Sequence, residues 1–458
     1  MEKAPNFKEP IKEEKDKPKV LLVADSITSP TGYGVHAQGI SWSLADDFDV
    51  YVLGLQAVRN AKINVTIEGE TKTIKQLANL PREPLMEFGN DYVAQKKYDY
   101  GQKSLPKYLD ELEPDALITI NDIQMIEHVP QILYPQNIQM KILDLPAKEV
   151  VSDETLNMQL EGLKARFKEK YPPKTKWIAY CPQDGEPPIE KWKETYLLAD
   201  QLCAMSQYGQ YVFKHYLDLD VPYIWHGVDT ETFKDYDRRE LFEDKFVVGD
   251  INRNQPRKQV TRLIEGFAKF AKGKDDVYLH LQKNWADEFG QPIAYFVRLY
   301  DIGKHIVRPA PVDLKHPETA LTRPQVAEMY NQWDVNMMCT GGEGFGLPTI
   351  EAAACGIPTL GTDYTTSKEL ITEGEPGPRG QLVDVATYHW EHIGTSGVQR
   401  ALVDTDDIAK KLQYYYDNRD VLKEHGKNAQ KWAKENVSWN VIKPQWVDLV
   451  KKTINKEE

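Results

Sequence analysis

The chain is built from short, unbroken apolar runs set between longer polar or amphipathic stretches. VLLVA, directly after Lys19, and then VYVLGL, ALITI and WIAYC are too short for helices and show no polar alternation, the pattern of parallel strands buried on both faces. The first run leads into DSITSPTGYG, rich in Gly, Ser and Thr, and then into VHAQGISWSLAD, where Val35, Ile40 and Leu44 share one helical face. Strand, glycine loop and helix, followed by further strands with polar or helical spacers, predict an open α/β sheet. INVTIEGETKTIKQL, about residues 63–77, instead alternates apolar and polar positions around Glu68-Gly69, which predicts a hairpin decorating that sheet.

A second series starts near Phe246 with FVVGDI, the helix VTRLIEGFAKFA and the strand VYLHL. A further helix, HIVRP, the helix RPQVAEMYNQW, and the strands VNMMC and IPTLGT follow, giving a second sheet wrapped by helices. The boundary between the series falls near HGVDTETF, residues 226–233. From Asp404, whose place before IAKKLQYYY suits a helix cap, the ending is helical. A length of 458 residues fits two such units better than one.

Composition narrows the classes of function. Apolar residues at 41% and charged residues at 28% allow a sizeable core, and a formal net charge of -13 opposes general attraction to DNA, RNA or anionic lipid. MEKAPNFKEPIKEEKDKPK lacks the apolar region of an export signal and reads as a solvated tail over residues 1–18, and no later stretch approaches the roughly 18 apolar residues of a membrane span. Cys181, Cys203, Cys339 and Cys355 lie far apart without a C-x-x-C pair, so neither a zinc site nor a disulfide framework is expected, and a reducing cytoplasm suits them. Residues 148–176, with one amphipathic stretch MQLEGLKARF, read as a surface insertion of mixed charge, and the sequon Asn64-Val65-Thr66 as incidental.

The segment most informative about chemistry is TGGEGFGLPTIEAAACGIP, residues 340–358. It follows an apolar strand, places glycines at 341, 342, 344 and 346, and launches a helix with Pro348 in its first turn, where a missing N–H costs nothing. Glycines permit close approach to a ligand, and the helix start offers free N–H groups to diphosphate oxygens. Glu343 in the loop and Glu351 one turn into the helix are carboxylates suited to paired hydrogen bonds from sugar hydroxyls. INRNQPRKQ, residues 251–259, likewise follows a strand, and its Arg253 and Lys258 flank a turn at Pro256 and could converge on one anion.

These segments resemble the retaining glycosyltransferases of family 4. The likeness rests on an Arg followed five residues later by Lys after a strand, and on Glu343-Gly344-Phe345-Gly346-Leu347-Pro348 leading to Glu351-Ala352. Gly32-Tyr33-Gly34, His226-Gly227-Val228-Asp229 and the closing VSWNVIKPQW also match. The resemblance implies a GT-B architecture, two Rossmann-like parallel-sheet domains facing a central cleft: residues 19–226 take the acceptor, 227–430 the donor, and 431–458 form a helix returning to the first domain. It implies that Arg253 and Lys258 bind the donor pyrophosphate and that Glu351 holds the ribose. Glu343, Gly344 and Leu347, with the amides near Phe345 and Gly346, would position the sugar, and Gly32 and Gly34 would close over it. Where the family often presents a histidine near the reaction centre, this sequence has WIAYCPQDGEP, with Asp184 as the candidate.

The expected reaction is therefore retaining transfer of a hexose-type sugar from a UDP- or GDP-sugar to a saccharide, lipid-linked or protein acceptor. No cofactor or metal is expected, because Arg253 and Lys258 supply the charge, while Asp47-Phe48-Asp49, Asp218-Leu219-Asp220 and Asp404-Thr405-Asp406 lie outside any glycine-rich loop. No nucleic-acid partner is expected, and any membrane contact would be peripheral. The rival readings are an epimerase or phosphorylase of the same fold, or a non-catalytic nucleotide-sugar-binding protein. His36 reads as a packing or surface residue rather than a base.

Overall fold

In the computed structural model, residues 17–79, 100–133, 175–189, 192–236, 242, 244–285, 287, 290–307, 320–393 and 396–455 are described. The amphipathic stretch at 158–167, most of the insertion read over 148–176, and nearly all of the N-terminal tail lie outside them.

The first sheet consists of β1 (Lys19–Ala24), β2 (Asp49–Gly54), β3 (Ala61–Ile67), β4 (Glu70–Ala78), β5 (Ala116–Ile120), β6 (Lys176–Cys181) and β7 (Gln201–Ala204), in the order β3-β4-β2-β1-β5-β6-β7. All neighbours are parallel except β3 and β4. The continuous apolar runs of β1 and β5 are buried through because helices cover both faces. These helices are α1 (Gly32–Leu44), α2 (Leu105–Leu112), α3 (Val129–Leu133), α4 (Lys193–Leu198) and α5 (Gln207–Leu217).

The hairpin read at residues 63–77 is an integral edge rather than a decoration. Glu68 and Gly69 both take left-handed φ, 51° and 75°, as a two-residue turn between twisted strands requires, and β4 then pairs in parallel with β2. Its tip also holds the chain between the sheets. The Glu68 N–H donates to Asp229 (3.0 Å), while the backbone N–H of Thr230 (3.0 Å) and its hydroxyl (2.8 Å) donate to the Glu68 carboxylate.

The second sheet runs β10-β9-β8-β11-β12-β13, from β8 (Phe246–Asp250), β9 (Val277–Leu281), β10 (Ile306–Val307), β11 (Val335–Met338), β12 (Thr359–Thr362) and β13 (Gly380–Val383), all parallel. Around it lie α6 (Val260–Ala271), α7 (Ile293–Leu299), α8 (Arg323–Tyr330), α9 (Leu347–Ala354), α10 (Ser367–Ile371), α11 (Thr405–Asp417) and α12 (Arg419–Trp432). Asp404 caps α11 by accepting from the N–H groups of Asp406 (2.8 Å) and Asp407 (3.2 Å). Between β13 and α11 stands an antiparallel hairpin, β14 (Val385–Ile393) and β15 (Ser396–Val403), which the sequence reading did not single out.

The last helix, α13 (Trp439–Ile454), packs on α1 and the first sheet. The Trp439 indole fills a slot that only glycines leave open: a Cβ on Gly39 would lie 1.7 Å from it, and one on Gly227 2.4 Å. Trp446 meets Tyr180 of β6 edge-on at 4.8 Å, and Lys451 pairs with Asp47 of the first lobe at 2.5 Å. The four cysteines are buried and free.

Candidate active site

The site forms where loops leave the carboxyl ends of strands in both sheets, the usual location of ligands in open α/β folds. On the second sheet, Asp250 at the end of β8 is buried against Lys283 and accepts from the Asn252 N–H at 2.9 Å, which directs the departing chain. A 3₁₀ turn follows at Pro256–Lys258, ended by Gln259 with φ of 43°. The Gln259 side chain accepts from the Val403 N–H (3.0 Å) and donates to the Ala401 carbonyl (2.5 Å), tying the turn to β15.

The glycine loop is laid against this turn by a 2.7 Å hydrogen bond from Gly341 N–H to the Arg257 carbonyl. Thr365 accepts from the Glu343 N–H at 2.9 Å, and the Thr366 hydroxyl donates to the Phe345 carbonyl at 2.8 Å. Gly342, at φ 146°, lies so near the first lobe that a Cβ would be 2.1 Å from the Asp184 carbonyl oxygen. A Cβ on Gly344 would be 2.4 Å from Pro182. Gly346, at φ 103°, opens α9, and Leu347 and Pro348 form its first turn. The N–H groups of Gly344, Phe345 and Gly346 find no acceptor among the described residues, so this helix start keeps donors free.

Cations and carboxylates then interleave. Lys258 Nζ lies 2.5 Å from Glu343 Oε1, and Arg257 Nη1 lies 3.4 Å from the same oxygen. Arg257 Nε approaches Asp184 Oδ2 at 3.5 Å, and Arg400 of β15 pairs with Asp184 Oδ1 at 2.9 Å and with Glu391 at 2.6 Å. Burial would raise the Glu343 and Asp184 carboxyls, but Lys258 and Arg257 hold the first below its ordinary value, and Arg257 and Arg400 do the same for the second. Burial, aided by the charge of Arg257, pushes Lys258 down to about 8 even though Glu343 opposes it. The asymmetry follows from stoichiometry: Glu343 gains two cations, whereas Lys258 must share one carboxylate.

Of the two cations read from the sequence, Lys258 meets Glu343, whereas Arg253 is exposed and makes no ion pair among the described residues. Its neighbour Arg257 reaches both Glu343 and Asp184. Glu351 is buried in α9, but its partners are Arg323 (2.7 Å) and the Tyr330 hydroxyl (3.0 Å), both of α8, so the two glutamates engage different groups.

On the first lobe, Thr31 caps α1 by accepting from the Gly34 N–H at 3.1 Å, and a Cβ on Gly34 would strike the Ser29 carbonyl at 2.5 Å. One on Gly32 would be 3.8 Å from Leu347, so this loop faces the start of α9. Tyr33 between them stands beside Asp122, which follows β5. Burial, followed by the nearby charge of Asp184, pushes Asp122 up to about 6. His36 is buried, its ring 3.8 Å from that of His226 and 6.5 Å from Phe345, which makes it a packing residue at the floor of the site. Burial lowers both imidazoles, His36 to about 3.

Arg257, Arg400 and Asp122 were missed by the sequence reading. Asp122 had a signal, its position just beyond the carboxyl end of a parallel strand, and Arg257 adjoined a candidate. Arg400 sits in an unremarkable strand and had none.

The backbone resembles sucrose-phosphate synthase (tll1590) from Thermosynechococcus elongatus with a TM-score of 0.67 at 14% identity, covering 96% of this chain and 100% of that one. It also resembles Anabaena Alr3699/HepE, solved in complex with UDP and glucose, with a TM-score of 0.61 at 14% identity over 95% and 100% of the two chains. The fold is therefore GT-B, two Rossmann-like lobes of parallel sheet. Residues 319–432, which include α8, the glycine loop and α9, match the family described as Glycosyl transferases group 1. Over 228 residues, 50% of this chain, the sequence is 23% identical to the MMP alpha-(1->4)-mannosyltransferase of Mycolicibacterium hassiacum. That match covers 47% of the relative, so the chain spans about half the length of the curated protein it matches.

Proposed function

We propose that this protein transfers a sugar from a nucleotide diphosphate donor, held by the second lobe, to an acceptor hydroxyl presented by the first. The observation that carries this reading is the meeting of Lys258 and Arg257 with Glu343, in the loop whose free amides open α9. Departure of the diphosphate concentrates negative charge on its terminal phosphate. Lys258, Arg257 and the amides of Gly344, Phe345 and Gly346 would stabilise that charge, each preorganised contact lowering the barrier by about 2.7 to 4 kcal/mol. Arg253, on the solvent side of the same turn, would meet the outer phosphate. Glu343 would accept hydroxyls of the sugar, Glu351 with Arg323 would face the ribose, and Gly32 and Gly34 would close over the donor.

In its finer form, the proposal is retention of configuration at a hexose, UDP or GDP as the leaving group, and independence of a metal because side-chain cations meet the phosphate charge. The acceptor lobe would be residues 19–226, the donor lobe 227–430, and 431–458 the returning segment, working in the cytoplasm. Asp184 would be the polar contact at the reacting face. Support comes from the group 1 match over the donor loop and from the relatives, one a mannosyltransferase by name and one solved with UDP and glucose. A panel of UDP-, GDP- and ADP-sugars screened by thermal shift, followed by product analysis with the responding donor, tests the reading. If no nucleotide sugar shifts the transition, or if Lys258→Met leaves the shift intact, the reading fails.

A further inference from the structure

The hairpin β14–β15 divides its two faces sharply. Glu391, Val398 and Arg400 lie on the face turned to the first lobe, where Val398 joins that lobe's core and Arg400 holds Asp184. Tyr388, Trp390 and His392, at alternate positions of β14, share the opposite face. Trp390 is 55% exposed and Tyr388 46%, a large aromatic surface to leave in water. A Cβ on Gly397 would lie 3.2 Å from the Trp390 ring, so the indole rests over a bare stretch of β15.

From this face a file of rings crosses to the first lobe. Tyr388 meets Tyr364 at 5.5 Å, Tyr364 meets Tyr208 at 6.4 Å, and Tyr208 meets Tyr211 at 6.3 Å. Tyr211 stacks on His215 at 5.2 Å, one turn along α5, and His215 meets Tyr216 at 4.7 Å. The file ends beside the candidate site: the Tyr216 hydroxyl donates to Glu186 (3.3 Å), two residues beyond Asp184, and the Glu186 carbonyl accepts from the Gln399 N–H (2.9 Å).

We infer that the exposed rings at the two ends of this file, Trp390 with Tyr388 and Tyr211 with Tyr216, held in place by the buried Tyr364 between them, are a docking platform for a neutral oligosaccharide chain that serves as acceptor, an inference that rests on the glycosyl-transfer reading above. Ring faces carry partial negative charge and attract the weakly positive C–H faces of pyranoses, whereas Glu186, Gln399 and His392 interleave groups that bind hydroxyls. The Glu186 carboxylate beside Tyr216, in a chain of net charge -13, opposes polyanions such as nucleic acid or an anionic membrane. The Tyr216–Glu186 contact, two residues from Asp184, brings one end of the platform to the edge of the candidate site.

The test titrates maltohexaose, mannohexaose and cellohexaose into the full chain, following Trp fluorescence and calorimetric heat, for the unaltered protein, Trp390→Ala with Tyr388→Ala, and Trp390→Phe. At least one hexasaccharide binds the unaltered protein, the double variant weakens it at least about tenfold, and Trp390→Phe restores most of the affinity. Nucleotide-sugar thermal shift is measured on the same samples and stays unchanged, because neither ring touches the donor loop. Absence of binding by all three sugars, or equal binding by the double variant, overturns the platform. So does ring-dependent binding to phosphatidylglycerol vesicles in place of the sugars. Loss of the thermal shift in the unaltered protein would instead overturn the transfer reading.

Discussion

The paired imidazoles under the site predict a specific acid sensitivity. His36 is 4% exposed and His226 2%, their rings 3.8 Å apart with Trp439 and Phe345 around them, so neither can take up a proton without charging a buried ring beside another. Burial brings His36 down to about 3 from an ordinary 6.5. A lowered imidazole stabilises the fold above its unfolded value and loses that contribution as pH falls from there toward the folded value. For His36 alone, linkage gives a loss of about 2 kcal/mol between roughly pH 7 and pH 5. The assay is urea unfolding at both pH values, followed by Trp fluorescence, on the unaltered chain and on His36→Phe, which keeps a flat ring of similar size. Any packing cost of the phenyl ring enters at both pH values and cancels, leaving a pH-dependent loss smaller by about 2 kcal/mol in the variant. Equal losses in the two proteins would mean that His36 is already protonated or exposed in the fold, and the packing argument would be refuted.

Three further expectations are open to direct measurement. Lys258→Met or Glu343→Gln lowers sugar transfer by roughly 100- to 1000-fold, and Arg257→Ala lowers it more than Arg253→Ala, as steady-state kcat/KM with the responding donor will show. Asp122→Asn raises stability by at most about 3 kcal/mol near pH 7, because the carboxyl raised to about 6 must ionise in a partly buried site; the gain vanishes below roughly pH 3, where both states are protonated, and calorimetric Tm across that range checks it. Gly39→Ala pushes a methyl into the Trp439 ring and costs about 1 to 3 kcal/mol, read as a lower Tm, and Gly227→Ala acts with the same sign.

Much of the scaffold could be read from the chain because burial on both faces of a parallel sheet leaves a local trace. VLLVA, ALITI and FVVGD became β1, β5 and β8, and VTRLIEGFAKFA became α6 over the residues its periodicity marks. The hairpin at 63–77 was visible by alternation, but its parallel pairing to β2 was not, since that partner lies in another part of the sequence. β14 and β15 escaped for a different reason: on the face toward the first lobe Val398 and Arg400 are buried while Thr387, His389 and Glu391 are exposed, and the other face exposes aromatic rings, so neither face carries a plain hydrophobic signal.

The same distinction between local and distant determinants governs the site. Glycines at 342, 344 and 346 announce a loop that must approach something closely, and the structure shows that two of them approach the Pro182 to Asp184 segment of the other lobe. That Arg257 rather than Arg253 meets Glu343 could not be read from spacing alone, because it depends on a single 3₁₀ turn. Pro256–Lys258 closes in three residues and ends in the left-handed backbone of Gln259, which sends Arg257 and Lys258 together toward Glu343. Gln259 holds that turn through β15, the strand that also supplies Arg400 to Asp184. The geometry of these two cations is thus tied to a hairpin about 140 residues away, and a substitution along β15 that loosens Ala401 or Val403 would reach Lys258 without touching it.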